Sequence, residues 1–147
     1  MDKIENIKNP DFLKELNNDE LATLGADIRK FILENVSNTG GHLSSNLGIT
    51  DLTIAMLKVF DASVDKIIFD VGHQTYPYKI LTGRAKDFKN LRKYNGLEGF
   101  QKKSESKYDV YEAGHSSTSL SAGLGFALAR DLDKKDYNVM DAEFEEK

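Results

Sequence analysis

YEAGHSSTSLSAGLGFALAR, the stretch from Tyr111 to Arg130, predicts a tight turn that opens directly into a helix. Gly114 gives the turn access to backbone angles that are closed to other residues. The hydroxyl residues from Ser117 to Ser119 are N-cap candidates, and the leucines beyond them recur at helical spacing. A helix start presents free N–H groups and the positive end of the helix dipole. The stretch therefore predicts a site for an anion such as a phosphate.

Each of the three histidines of the chain follows a glycine, in a segment rich in turn residues: His42, His73 and His115. Histidine is the side chain best suited to proton transfer near neutral pH, so these positions are candidates for catalysis. The alternative for any single histidine is a structural or solvated side chain. The repeated pairing with glycine, beside serine, asparagine and glutamine, favours a functional role.

The composition is that of a soluble domain of 147 residues, with 39% hydrophobic and 30% charged residues. A net charge of −4 offers no electrostatic case for nucleic acid or for an anionic membrane as a partner. The chain has no cysteine, which rules out disulfides and thiolate chemistry. No stretch has the apolar length of a membrane span or of a signal peptide. These features predict a cytoplasmic protein.

Capping residues and apolar spacing predict three helices in the first 60 residues. A short helix follows Asn9 and Pro10, and a longer one, capped by Asn18, runs to a glycine-rich end near residue 40. A third helix is predicted from Ile49 to Phe60, after a polar loop that contains His42. Its inward residues are predicted to be Leu52, Ala55, Met56 and Val59.

A buried strand of the parallel type is predicted from Lys66 to Asp70. Its carboxyl end leads to His73, in the place where open α/β sheets bind ligands. Asp70 is interpreted as a residue that caps a helix or holds a loop rather than one that performs acid–base work. A second strand is predicted from Tyr137 to Met140, and short helices from Tyr76 to Gly83 and from Asp87 to Tyr94. The fold class is therefore α/β, helix-rich, with only a partial parallel sheet.

Three motifs resemble signatures of the 1-deoxy-D-xylulose-5-phosphate synthase family of transketolase-like enzymes. They are GGHLSSNLG from Gly40 to Gly48, DVGHQTYP with KILTGR from Asp70 to Arg84, and GHSSTS from Gly114 to Ser119. The resemblance covers the chain from Leu13 to Met140 in the order and spacing of the family. Other transketolases share the layout but not these strings, so a different thiamine-dependent enzyme is disfavoured.

The resemblance implies an incomplete thiamine-diphosphate-binding domain of the transketolase N-terminal type over residues 1–140. Residues 141–147 would be a divergent acidic tail or a junction. It further implies a transferase that condenses pyruvate with D-glyceraldehyde 3-phosphate and releases carbon dioxide, in the synthesis of isoprenoid, thiamine and pyridoxal phosphate precursors. The implied cofactors are thiamine diphosphate and Mg²⁺, and the implied assembly is a homodimer.

Residue roles also come from the resemblance. His42 matches a catalytic histidine that faces the reacting centre and assists proton transfer. His73 matches a residue on the diphosphate side of the cofactor. The remaining cofactor-binding candidates are the segment lining the thiamine pocket, with Ser45 as a weaker candidate: Gly114, His115, Ser116 and Ser45.

The family's metal-binding Gly-Asp-Gly does not occur after the second predicted strand, where the chain continues with Asp141. No metal ligand is therefore predicted, and the chain is expected to lack the pyrimidine-binding domain of the family. By itself the chain is expected to be inactive and to self-associate through apolar surface. The alternative is a non-catalytic remnant that acts as an assembly or interaction module, using the small-residue helix from Ser117 to Arg130.

Overall fold

A computed structural model describes the backbone of residues 2–134 and 139–141 and the side chains of residues 4–134. The chain forms two compact units. The first comprises Met1–Val59 and His73–Gly99, and the second comprises Phe60–Gly72 and Phe100–Lys147. Helices dominate the part of the chain so described, which confirms the helix-rich prediction. None of the helices in it has the length and apolar content needed to cross a membrane.

The first unit is helical. Its elements are α1 (Asp2–Glu5), a 3₁₀ helix (Asp11–Glu15), α2 (Asn18–Thr39), α3 (Ser44–Val59), α4 (Tyr76–Lys79), a π-helical turn (Ile80–Arg84) and a second 3₁₀ helix (Ala85–Asn90). The short helices after residues 10 and 76 were predicted. The helix predicted from Asp87 to Tyr94 is instead the second 3₁₀ helix, and it ends at Asn90.

The long helix α2 begins with a capping box. The side chain of Asn17 accepts hydrogen bonds from the backbone N–H groups of Asp19 and Glu20, and the Glu20 carboxylate accepts from the Asn17 N–H. The predicted cap, Asn18, is therefore wrong by one residue. Apolar residues at helical spacing predict one buried face, made of Leu21, Leu24, Ile28, Phe31, Ile32 and Val36. The last four are buried, which confirms this face in part.

Helix α3 begins at Ser44, five residues before its predicted start. Leu52, Ala55 and Val59, predicted to face inward, are exposed, and of the predicted set only Met56 is buried. The buried face instead combines polar and apolar residues: Asn46, Thr50, Thr53, Ile54, Met56 and Leu57. The prediction failed because it took only apolar residues as core residues, whereas the helix buries an amide and two hydroxyls.

Aromatic rings fill the core between α2, α4 and the second 3₁₀ helix. Tyr76, Tyr78 and Phe88 are fully buried. The Phe88 ring centroid lies 5.6 Å from that of Phe31 and 6.0 Å from that of Tyr76, at tilted and edge-on angles that aromatic pairs prefer. This packing fixes the backbone around Tyr76, which lies next to the candidate site.

The second unit contains β1 (Lys66–Ile68), α5 (Thr118–Asp133) and β2 (Val139–Asp141). The strands pair in parallel, with Lys66 opposite Val139 and Ile68 opposite Asp141. The strand predicted from Lys66 to Asp70 is two residues shorter than expected. The other predicted strand, from Tyr137 to Met140, is observed at residues 139–141, and residues 137 and 138 lie outside the described part.

Helix α5 begins one residue after its predicted start. Ser119 is its only buried residue. Four leucines, spaced four residues apart, are about half or more exposed: Leu120, Leu124, Leu128 and Leu132. Residues at this spacing form one ridge along a helix. The unit thus presents an apolar ridge to solvent.

Candidate functional site

Two of the three histidines lie side by side in the first unit. The ring centroids of His42 and His73 are 4.4 Å apart, and the ring planes meet at 84°, edge to face. His42 lies just before α3, and His73 lies in the turn before α4. Both side chains are half-buried, so each keeps access to solvent. This geometry places two imidazole rings at one surface of the first unit.

The buried amide of Asn46 joins the two histidine segments. Its Nδ2 donates to the backbone oxygen of His42 at 2.6 Å and to that of His73 at 2.7 Å. Its Oδ1 accepts from the backbone N–H of Tyr76 at 2.8 Å. One side chain therefore links the start of α3 to the turn that carries His73.

Close contacts between backbone and side chains complete this arrangement. Gly41 has a φ of 146°, and a Cβ there would lie 2.5 Å from the hydroxyl of Tyr76. The His42 N–H donates to the same hydroxyl at 3.4 Å. Ser45, predicted in a loop as a cofactor contact, lies in the first turn of α3 and donates to the His73 carbonyl oxygen at 3.3 Å.

The pKa of His42 lies below the ordinary imidazole value of 6.5. Burial is the largest cause, because it penalises the charged form. The positive charges of His73 and then of Arg92 lower this pKa further. His42 is therefore neutral at physiological pH, with a ring nitrogen that can accept a proton.

The other predicted residues, Gly114, His115 and Ser116, lie together in the second unit, exposed, just before α5. Gly114 does not use the backbone freedom of glycine, since its φ is not positive and a Cβ there would meet no atom within 4 Å. The left-handed residue of this turn is Ser117, with a φ of 65°.

The expected side-chain cap of α5 is not present at its N-cap position. Ser117 occupies that position and its side chain makes no capping hydrogen bond. Its backbone N–H instead donates to Oδ2 of Asp70 at 2.8 Å. The interpretation of Asp70 as a residue that holds a loop is thereby confirmed. The Thr118 hydroxyl donates to the carbonyl oxygen of His115 at 2.8 Å and so stabilises the turn.

Sequence reasoning missed Asn46 and Tyr76 as residues of this site. Asn46 was assigned to a polar loop, although it lies four residues after His42, the spacing of one helical turn. An earlier helix start would have identified it. Tyr76 carried no local signal, because its contact with Gly41 joins residues 35 positions apart in the chain.

The described side chains contain no candidate metal site. No group of three or more His, Asp or Glu residues in them could hold an ion. A groove of about 720 Å³ lies elsewhere in the first unit, between α1, the first 3₁₀ helix and the start of α2. Its lining includes Phe12, Leu16 and Leu24 but no histidine, so the paired imidazoles identify the candidate site better than cavity size does.

Known proteins match the chain over nearly its whole length. A family model described as 1-deoxy-D-xylulose-5-phosphate synthase matches residues 4–142. Proteins of that name are 54% identical over 140 residues in Clostridium beijerinckii, 59% over 137 in a Geobacillus species and 60% over 134 in Bacillus cereus. These alignments cover 95%, 93% and 90% of the chain, but only 23%, 22% and 21% of the relatives. The chain spans under a quarter of their length, and it belongs to the 1-deoxy-D-xylulose-5-phosphate synthase family.

Proposed function

We propose that this chain supplies part of the active site of a 1-deoxy-D-xylulose-5-phosphate synthase. The reaction would be the condensation of pyruvate with D-glyceraldehyde 3-phosphate, with release of carbon dioxide. The observation that carries the proposal is the edge-to-face pair of His42 and His73, 4.4 Å apart, within the region that the family model matches. The fold would be an incomplete thiamine-diphosphate-binding domain over residues 1–140.

His42 is the proposed proton-transfer group. Its lowered pKa keeps the imidazole neutral near pH 7, so it would act first as a base and then return the proton as an acid. Its half-buried position would shield the transferred proton from bulk water while leaving the ring accessible to a substrate. Both properties suit a general base whose reaction takes place in a cleft.

His73, Gly114, His115, Ser116 and Ser45 remain proposed cofactor contacts. When bound, thiamine diphosphate would supply the stabilisation of negative charge on the substrate carbon. The half-buried ring of His73 fits a residue that donates a hydrogen bond to a diphosphate oxygen. Support for Ser45 is weaker, because its hydroxyl already donates to the His73 carbonyl oxygen.

Magnesium does not fit the described residues, since they contain no cluster that could hold an ion. We therefore assign no metal ligand among the described residues. Calorimetric titration with thiamine diphosphate, with and without Mg²⁺, tests this assignment on the 147-residue chain. We expect any binding to be independent of Mg²⁺. Binding that requires Mg²⁺ would contradict it and would make Asp141 the first candidate ligand.

The proposed activity can be tested in a full-length chimera. Residues 4–140 of this chain would replace the matching residues of the Clostridium beijerinckii relative, to which the chain is 54% identical. We expect the chimera to consume pyruvate in the presence of D-glyceraldehyde 3-phosphate. His42→Ala should lower kcat by roughly 10²- to 10⁴-fold. As a matched control, Lys30→Ala changes an exposed residue of α2 and should leave kcat unchanged. A folded but inactive chimera would contradict the proposal.

The exposed leucine ridge of α5 favours a second candidate function, that of a non-catalytic assembly module. Such a module would bind a complete synthase without binding thiamine diphosphate. Pull-down with the full-length relative, combined with the cofactor titration, separates the two functions. A homodimer and a cytoplasmic location remain predictions.

A further inference from the structure

We infer that Asn46 is a positioning residue that sets the distance and angle between the rings of His42 and His73. The inference rests on the proposed function of this pair in proton transfer. The side-chain amide of Asn46 donates hydrogen bonds to the backbone oxygens of both histidines. Asn46 therefore acts on the two rings through the backbone segments that carry them.

The hydrogen bonds of Asn46 are short and complete. Its side chain is fully buried, and its donor–acceptor distances of 2.6, 2.7 and 2.8 Å lie below the usual 2.9–3.0 Å for N–H···O bonds. Both amide protons are donated to the histidine carbonyl oxygens, and the amide oxygen accepts from the Tyr76 N–H. A buried amide with all these groups satisfied has one stable orientation.

Neither histidine lies in a helix or a strand. His42 precedes α3, and His73 lies in a turn, so no regular backbone ladder fixes either residue. Two further described bonds between their segments are longer: 3.3 Å from Ser45 and 3.4 Å to the Tyr76 hydroxyl. Asn46 therefore provides the tightest described connection, and it binds both histidines at once.

The spacing of the rings has a chemical consequence. The charge of His73 lowers the pKa of His42, and the size of this effect depends on how close the two rings are. The other cation that acts on His42 is Arg92. If the bonds of Asn46 are lost, the two segments can separate, and His42 keeps only the effects of burial and of Arg92.

The test is proton NMR of the 147-residue chain, in which the imidazoles of His42 and His73 are titrated and the contact between their rings is measured. Asn46→Leu keeps the number and branching of the side-chain heavy atoms but removes all three bonds. Asn46→Ser has a side chain too short to reach both carbonyls. We expect both variants to weaken the ring-to-ring contact. They should also move the pKa of His42 part of the way towards its ordinary value.

The matched control is Thr53→Val. Thr53 is also fully buried in α3, and its hydroxyl donates to the Ile49 carbonyl within the helix. This variant loses a buried hydrogen bond but should leave the ring contact and the His42 titration unchanged. A folded Asn46 variant that also leaves both unchanged would overturn the inference.

A measurement on the unsubstituted chain covers the case in which neither Asn46 variant folds. We expect the side-chain amide protons of Asn46 to exchange slowly with solvent, because both are donated in a buried site. Rapid exchange would overturn the inference. None of these readouts needs cofactor or turnover, so an inactive chimera would refute the proposed function and leave the positioning role standing. In an active chimera, Asn46→Ser should lower kcat by roughly ten- to a hundredfold.

Discussion

Gly41 lies against the hydroxyl of Tyr76 with no room for a side chain. A Cβ would approach that oxygen to 2.5 Å, and the φ of 146° is unfavourable for any residue other than glycine. We expect Gly41→Ala to lower the free energy of unfolding by about 1–3 kcal/mol. Urea denaturation followed by circular dichroism measures the change.

Gly48 is the matched control for Gly41. It lies in α3, and a Cβ there would meet no atom within 4 Å. Because alanine favours a helix over glycine, Gly48→Ala should raise the free energy of unfolding by about 0.5–1 kcal/mol. Equal effects of the two substitutions would mean that Tyr76 does not confine Gly41.

Arg92 is the exposed cation that contributes to the low pKa of His42. We expect Arg92→Gln to raise this pKa, by less than His73→Gln does, since His73 is the larger cause. Arg92→Lys keeps the positive charge and serves as the control. NMR titration of the His42 ring gives the three values. An unchanged pKa in Arg92→Gln would exclude the charge as a cause.

The same pKa affects stability. The folded chain binds a proton at His42 less tightly than the unfolded chain does. The free energy of unfolding therefore suffers no loss from protonation of His42 above about pH 6.5. It decreases as the pH falls from 6.5 towards the lower folded pKa. Arg92→Gln should therefore lose less stability than the unsubstituted chain between pH 7.5 and pH 5.5. Urea denaturation at the two pH values measures the difference.

For single residues, the sequence indicates candidates for the functional site but not the residues that they contact. The three glycine–histidine pairs alone are enough to single out His42, His73 and His115. Tyr76, a neighbour of His42, could not be predicted because it is 34 positions away. Asn46 was missed because the predicted start of α3 came after it. Tertiary packing determines the contact with Tyr76.

At the scale of helices and strands, the side chain of Lys58 connects the end of α3 to the first 3₁₀ helix. Its Nζ donates to the carbonyl oxygens of Leu13, Lys14 and Leu16 at 2.9, 3.3 and 2.8 Å. These carbonyls lie at a helix end, where they lack intrahelical partners. We expect Lys58→Met to lower the free energy of unfolding by about 1–3 kcal/mol, because it removes a charged donor.

Lys30→Met is the control for Lys58, since it removes an exposed lysine of α2. Its effect should stay within about 0.5 kcal/mol, as is usual for surface substitutions. Thermal and urea unfolding of the three proteins give the comparison. A similar stability for both variants would show that the carbonyls are equally well solvated without Lys58.

Helix positions were easier to predict than helix faces. The apolar spacing of α2 identified four of its five buried residues, because those four have large apolar side chains. In α3 the buried side includes Asn46, Thr50 and Thr53, whose polar groups are satisfied within the fold. A pattern based on hydrophobicity alone cannot recognise such a face.

For the whole molecule, the leucine ridge of α5 determines the expected behaviour in solution. Leu124 is 62% exposed and Leu132 is 84% exposed, and contiguous apolar surface of this kind drives association. We expect the sedimentation coefficient of the chain to rise with concentration. The double variant Leu124→Glu and Leu128→Glu should sediment as a monomer, because two carboxylates would be buried in any contact through the ridge.

The control places one glutamate on the same helix but away from the ridge. Ala129 is exposed and points about 120° from the centre of the leucine ridge, given 100° per residue. Ala129→Glu should therefore still associate. The leucine variants should keep their free energy of unfolding within about 0.5 kcal/mol, since they replace exposed side chains. If the unsubstituted chain is monomeric at every concentration, the ridge does not mediate self-association, and the assembly function loses its support.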